Sequence, residues 1–296
     1  MHSPPTISVI TVTYNLIEAG RADSFRRAVT CVREQGCPGL QHVIQDGASG
    51  DGTQELIRAV IGDDPNTIFA SEPDRGLYDA MNRAVARAGG DYVLFLNSDD
   101  ALAAADVLRQ MQTHLQQHAP DFAYGTTASQ DDGGKAHVAR RTNLKAVLQR
   151  MPFCHNSVLI RRSVFLELGG HDTALPVAAD YDLVLRMVSR GYVGLRVDVP
   201  LSLFWTRGVS ANDDKVALDY ARAWQRFFLG CRSAASLTLD DYKRFYFQGH
   251  MPLCLMAEML LRRDIAPAIR RAALHGFGKS LRRGLQPWRR YKGAVS

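Results

Sequence analysis

Four short runs of β-branched and apolar residues, each closed by polar residues and separated by helix-length segments, constrain this chain more than any other feature. Ile7 to Thr13 reads as a buried strand that stops at Tyr14 and Asn15. Gln41 to Gln45 is a second, stopping at Asp46 and Gly47. Thr67 to Ala70 is a third, and Asp91 to Leu96 a fourth that runs into Asn97, Ser98, Asp99 and Asp100. Between them, Ser24 to Glu34, Gln54 to Ile61 and Leu77 to Ala88 repeat apolar residues at the helical period. Strands alternating with helices at this spacing build βαβ units and a mostly parallel central sheet flanked by helices. Ligands of open α/β sheets bind beyond the carboxyl ends of the strands. The polar strand ends at Tyr14-Asn15, Asp46-Gly47 and Asn97 to Asp100 are therefore expected to open onto one crevice.

At 296 residues the chain has room for one large α/β domain and an appendage. Leu144 to Gln149 and Ser163 to Leu168 read as short helical segments, Asp180 to Arg190 as a helix, and Tyr192 to Val199 as a strand. After Ser210 the character changes to helices rich in arginine, lysine and aromatics. Residues 1–210 carry a charge balance of −3 and residues 211–296 one of +9. We place a boundary near residue 210, with an α/β domain over 1–210 and a helical, basic region over 211–296. The cysteines, Cys31, Cys37, Cys154, Cys231 and Cys254, are odd in number and form no CxxC pair. That spacing fits neither a disulfide framework nor a zinc site, and a reducing cytoplasm suits it. Met1 to Pro5 lacks the basic-then-apolar pattern of a signal peptide. The apolar stretch Met251 to Leu261 falls short of the about 20 residues a bilayer span needs.

Three polar clusters carry chemistry. Asp99 and Asp100 follow the apolar run Tyr92 to Leu96, at the ligand edge of the sheet. Two hard oxygen donors there suit Mg²⁺ or Mn²⁺. The competing reading is a helix N-cap before Ala101 to Ala103. Ser71 to Asn82 is a dense polar loop entering a helix, in which Asp74 and Arg75 can meet a base, ribose or phosphate, or simply form a capped turn. Asp180 and Asp182 start a helix and point differently. One of them can act as a general base; otherwise Asp180 caps the helix and Asp182 pairs with Arg186.

Taken in order, Thr11–Asn15, Asp46–Thr53, Glu72–Asn82, Phe95–Asp100 and Ala179–Leu183 resemble the motifs of family 2 glycosyltransferases with the GT-A fold. They are similar to those of bacterial enzymes of exopolysaccharide, O-antigen and colanic-acid assembly, over roughly residues 6–210. The resemblance implies a Rossmann-like sheet and an inverting transfer from a nucleotide-sugar donor, UDP-linked in the first instance, to a glycan or lipid-linked acceptor. It implies that Thr13, Tyr14, Asn15 and Asp46 contact the nucleotide, and that Asp74, Arg75, Asn82 and Ser98 shape the nucleotide-sugar pocket. It implies that Asp99 is the direct ligand of Mn²⁺ or Mg²⁺ with Asp100 beside it, that Asp180 is the catalytic base, and that His155 and Arg207 line the acceptor or pyrophosphate side. The chain departs from the family pattern at Asn97, where the metal motif usually opens with Asp, and at Ala179, where a Glu usually precedes the base. At the second strand the usual acidic pair is Asp46-Gly47, which leaves the uracil contact ambiguous by one position.

From Arg262 to Lys292 ten basic residues face only Asp264, with Leu261, Ile265, Ile269, Leu274, Phe277, Leu281, Leu285 and Trp288 between them. This pattern reads as basic amphipathic helices, either lying on an anionic membrane surface at the inner, cytoplasmic face or packing on the catalytic domain. No nucleic-acid-reading motif accompanies them, so nucleic acid is not an expected partner. Two other functions compete with transfer of a sugar. Nucleotidyl transfer lacks a glycine-rich, lysine-containing phosphate loop near the N-terminus. A membrane- or polyanion-binding protein on a degenerate transferase fold would have no use for Asp99 and Asp180.

Overall fold

The computed structural model describes residues 3–130, 136–137, 142–205 and 213–284. The first part contains the expected βαβ units: β1 (Ile7–Thr13), α1 (Ala22–Arg33), β2 (Leu40–Asp46), α2 (Thr53–Ile61), β3 (Thr67–Ser71), α3 (Leu77–Arg87) and β4 (Tyr92–Phe95). There follow β5 (Ala101–Leu102), α4 (Val107–His118), β6 (Phe122–Gln130), β7 (Ala136–His137), β8 (Val158–Arg161), α5 (Arg162–Glu167), α6 (Ala179–Ser189) and β9 (Gly194–Trp205). Four helices complete the described chain: α7 (Asp213–Phe227), α8 (Leu239–Gln248), α9 (Leu253–Leu261) and α10 (Pro267–Gly284).

All strands join one sheet in the order β3-β2-β1-β4-β8-β6-β9-β5, with β7 on β6. β1 to β4 are mutually parallel, as is β6 with β9, but β8 runs antiparallel to both of its neighbours. The sheet is therefore mixed, with β5 antiparallel to β9 and β7 antiparallel to β6 as well. Every residue of β1 is buried, which is why it shows no alternation in sequence. β9 runs six residues beyond the expected end at Val199. It crosses Pro200 at a shift in register with β6, where a bulge dispenses with the missing N–H. The helix expected over Leu144 to Gln149 is a single 3₁₀ turn, Leu144–Ala146, capped by the Asn143 side chain, which accepts from Lys145 N–H at 3.1 Å.

The helices after residue 213 bury Trp224, Phe228, Tyr242, Leu255, Met256 and Ile269 in the same hydrophobic cluster as Phe122, Tyr124 and Tyr181 of the α/β part. Trp224 Nε1 donates to Tyr181 Oη at 2.6 Å, and the Tyr181 hydroxyl donates to Val147 O at 2.7 Å. The proposed boundary at residue 210 falls outside the described residues. Among the described residues no helix is long and apolar enough to cross a membrane. None of the five cysteines forms a disulfide among the described residues.

Two buried histidines give the fold a pH dependence. His42, in β2, has Nε2 2.9 Å from Thr11 Oγ1, and His171 packs against the rings of Tyr78, Phe95 and Phe165. Burial, then nearby Arg33, lowers His42 to about 4. Burial, then His155 and Arg186, lowers His171 to about 3. Both are neutral in the fold, whereas unfolded histidine titrates near 6.5. Their contribution is complete above about pH 6.5 and is lost as pH falls toward the folded values, because the unfolded chain takes up protons that the fold refuses. At pH 5 each should have removed about 2 kcal/mol. Urea unfolding at pH 7.5 and pH 5 measures this loss; an unchanged stability would mean that these rings are not neutral and buried.

Candidate active site

The parallel register brings three strand ends to one edge. Thr13 of β1 pairs with Asp46 of β2, and Asp46 pairs with Ser71 of β3. Ile10 pairs with Phe95, which carries Asn97 to the same level. Asp46 is fully buried and its carboxylate accepts from Thr13 Oγ1 (2.9 Å), Ser49 N–H (2.8 Å), Ser49 Oγ (2.6 Å) and Ser71 Oγ (2.8 Å). Four donors from three segments saturate it, so it ties the strand ends together and has no capacity left for a base. Asn15 is equally committed. It adopts a positive φ of 45°, its N–H donates to Ser49 Oγ at 2.8 Å, and its side chain donates to Glu18.

Tyr14 is the opposite case, 66% exposed. A Cβ placed on Gly47 would lie 2.7 Å from Asp74 Oδ2 and 3.1 Å from Tyr14 Cδ2, so only glycine lets these groups close on one another. Asp74 also accepts from Gly76 N–H at 2.8 Å, which turns the loop into α3. The result is an exposed aromatic face beside a carboxylate at the ligand edge. Arg75 turns away to Asp79, at 3.0 Å. Asn82 is spent elsewhere: its amide donates to His171 O and accepts from His171 N–H, pinning the loop after α5. Arg75, Asp79 and Asn82 line a cavity of about 640 Å³ between α3, α6 and α7.

No helix follows Asp99 and Asp100 directly. Ala101 and Leu102 pair with Leu203 and Ser202 of β9, and α4 begins only at Val107. The local helix propensity of Ala101 to Ala103 loses to strand pairing, and with it goes the N-cap reading. Asp99 is 31% exposed, its ion-pair partner Arg21 lying 3.8 Å away. Asp100 is buried, and its Oδ2 accepts from Asn97 Nδ2 and Asn156 Nδ2, both at 3.0 Å. Burial, with Asp99 adding to it against the opposing His155, pushes the Asp100 carboxyl up to about 6. Asn156 in turn accepts from Ser202 Oγ at 3.0 Å. Among the described residues no group of three His, Cys, Asp or Glu can hold a metal ion alone. A part-exposed carboxylate with a second, destabilised one beside it fits the class of Mg²⁺ or Mn²⁺ site that substrate phosphates complete. Ser98 is buried. Arg207 lies outside the described residues.

Asp180 is the second residue of α6 rather than its cap, with a side chain 22% exposed. Its Oδ1 accepts from Tyr78 Oη at 3.1 Å and from Tyr181 N–H at 2.8 Å; its Oδ2 lies 3.9 Å from His155 Nδ1. His155 Nε2 is 3.2 Å from Asn97 Nδ2. One imidazole therefore spans from the acidic motif to Asp180. Asp182 faces away and is neutralised by Arg186 Nε (2.7 Å) and Arg226 Nη2 (3.0 Å). Of the two acids on α6, only Asp180 is left for proton transfer.

Sequence reasoning missed the groups that hold Asp180 in place. Tyr78 is buried and reaches it across 102 residues. Ala178, the N-cap of α6, has no polar side chain, and buried Asp219 of α7 supplies the acceptor, taking Val177 N–H at 2.8 Å and Ala178 N–H at 3.1 Å. Arg226 of α7 also bonds Asp172 at the far end of the same loop. Tyr78 stands inside the Glu72–Asn82 motif, which is a usable signal; nothing local marks Asp219 or Arg226.

The model of glycosyl transferase family 2 matches residues 8–169. An uncharacterized glycosyltransferase of Mycobacterium tuberculosis is 34% identical over 203 residues, 63% of this chain and 70% of the relative. Among solved structures, S. aureus TarS 1-349 in complex with UDP-GlcNAc superposes with a TM-score of 0.60 at 16% identity, covering 94% of this chain and 92% of that one. The mannosyltransferase PcManGT from Pyrobaculum calidifontis, in complex with GDP-Man and Mn²⁺, gives 0.59 at 19% identity, covering 94% and 80%. At these identities the two structures speak for the fold. The sequence match, on the sheet edge and motifs just described, makes this chain a member of glycosyl transferase family 2 and a glycosyltransferase.

Proposed function

We propose that the enzyme transfers a sugar with inversion from a UDP-linked donor to a hydroxyl of a glycan or lipid-linked acceptor in cell-surface polysaccharide assembly. The observation that carries this reading is the bridge from Asn97 through His155 to Asp180, which sets one available carboxylate against the acidic strand end. In the proposed step Asp180 takes the proton of the acceptor hydroxyl. The acceptor oxygen bonds the anomeric carbon as the bond from that carbon to the diphosphate oxygen breaks, and the nucleoside diphosphate leaves on the opposite face. Tyr78 and the Tyr181 N–H keep Asp180 oriented through Oδ1, leaving Oδ2 for the proton. Asp99, with Asp100 beside it, would hold Mn²⁺ or Mg²⁺, whose chemistry is to neutralise the departing diphosphate.

On the nucleotide side, Tyr14 is proposed to stack on the base and Asp74 to accept from its imide N–H. Asp46, Thr13 and Asn15 build the shelf beneath, because their polar groups are already engaged. The proposed setting is the inner face of the cytoplasmic membrane, where lipid-linked acceptors are built. A thermal-shift panel of UDP- and GDP-sugars with Mn²⁺ or Mg²⁺ tests the donor reading, since a ligand that binds the native state raises its melting temperature. UDP-sugars should shift it only with the ion present. A shift by GDP-sugars alone would overturn the UDP assignment, and no shift by any donor would overturn the proposal.

A further inference from the structure

α10 buries Ile269, Ala272 and Ala273 against the core and turns a second face outward. On that face Leu274 and Leu281 are 61% and 45% exposed. They stand seven residues apart, so two turns of helix set them in one row. At 3.6 residues per turn, Arg270 flanks this row on one side and Arg271 and Arg282 on the other, all three exposed. α10 contains no Asp or Glu.

The positive charge extends beyond the helix. Exposed Lys145 and Arg150, from the segment of the 3₁₀ turn that packs on α10, approach His275. The His275 imidazole is held below its ordinary value by burial and then by Lys279, Lys145 and Arg150. Among the described residues no carboxylate pairs with Arg270, Arg271, Arg282, Lys145 or Arg150. Elsewhere in the molecule arginines are matched, as in Arg83 with Glu72, Arg186 with Asp182 and Arg262 with Asp264.

An apolar row between two basic flanks suits one environment. A polyanion in water would engage the arginines and leave both leucines wet. At a bilayer the leucines enter the acyl boundary while the arginines extend to the phosphodiesters. We propose that the outer face of α10, with Lys145 and Arg150, docks the enzyme on an anionic membrane leaflet. This deepens, and rests on, the membrane-side setting proposed above.

The test is flotation of the full chain with phosphatidylcholine vesicles, with and without about a third phosphatidylglycerol, at about 0.1 M salt, where exposed charges still act over about 10 Å. The wild type should float only with the anionic vesicles. A Leu274→Ser/Leu281→Ser variant, with unchanged charge, should bind at least about tenfold more weakly, as should Arg271→Glu/Arg282→Glu. Melting temperatures equal to the wild type's would show that both variants fold. Absence of flotation by the wild type would overturn the proposal. So would leucine variants that float as well as the wild type, or a wild-type dimer in light scattering that the leucine variant makes monomeric. Donor hydrolysis in vesicle-free buffer, measured on the same proteins, separates the two readings. Hydrolysis that persists without flotation refutes only the docking, whereas flotation without any hydrolysis refutes the transfer chemistry.

Discussion

Asp180→Asn should lower the transfer rate by about 10²- to 10⁴-fold, the usual contribution of a positioned base. The amide has nearly the same shape, and its oxygen can still accept from Tyr78 and from the Tyr181 N–H, so the local fold should persist. What it cannot do is take the acceptor proton. Donor binding depends on the opposite strand ends and should be retained within about twofold by calorimetry, since the substitution removes no partner from that side. Near-normal turnover would remove Asp180 from the chemistry. Tyr78→Phe separates holding from transfer. Loss of a hydroxyl that aims the carboxylate should lower kcat by about tenfold with little change in KM, because the interaction matters in the transition state.

Asp99→Ala should lower turnover by about 10²-fold, on the scale of the several kcal/mol of charge stabilisation that an ion supplies at a leaving diphosphate. Stability should hardly move: the pair with Arg21 is long and part-exposed, worth about 0–1 kcal/mol. EDTA should bring the wild type down to the level of the variant and leave the variant where it is. An equal response of the two proteins to Mn²⁺ would take Asp99 out of the ion's coordination.

The parts of the fold that were legible in sequence are those whose physics is local. β1, β2 and β4 announce themselves as apolar runs because those strands are largely buried, and their polar ends mark the ligand edge. Tyr14 and Asp99 stand out for that reason, whereas Asp180 lies at a helix start and was singled out through the family resemblance. β6 and β8 were not, since each takes its meaning from the other: β8 becomes a strand only by lying antiparallel between β4 and β6. Ala101 and Leu102 look helical and become a strand because β9 returns beside them.

The acidic residues themselves were ambiguous in the same way. Sequence marks Asp46, Asp99, Asp100, Asp180 and Asp182 as carboxylates near strand or helix ends, without showing which are already used. Asp46 is filled by four protein donors and Asp182 by two arginines, while Asp99 and Asp180 stay open. The helices that follow the change of composition near residue 210 do not stand apart from the site: α7 holds the loop leading into α6 through Asp219 and Arg226.

The sequence by itself thus determined the βαβ frame, the ligand edge and the candidate acids, because strand burial and strand ends are written in consecutive residues. The tertiary structure alone decided which acids are already engaged and what holds Asp180. Those depend on hydrogen bonds between residues about 25 to 100 positions apart, whose partners no local period specifies.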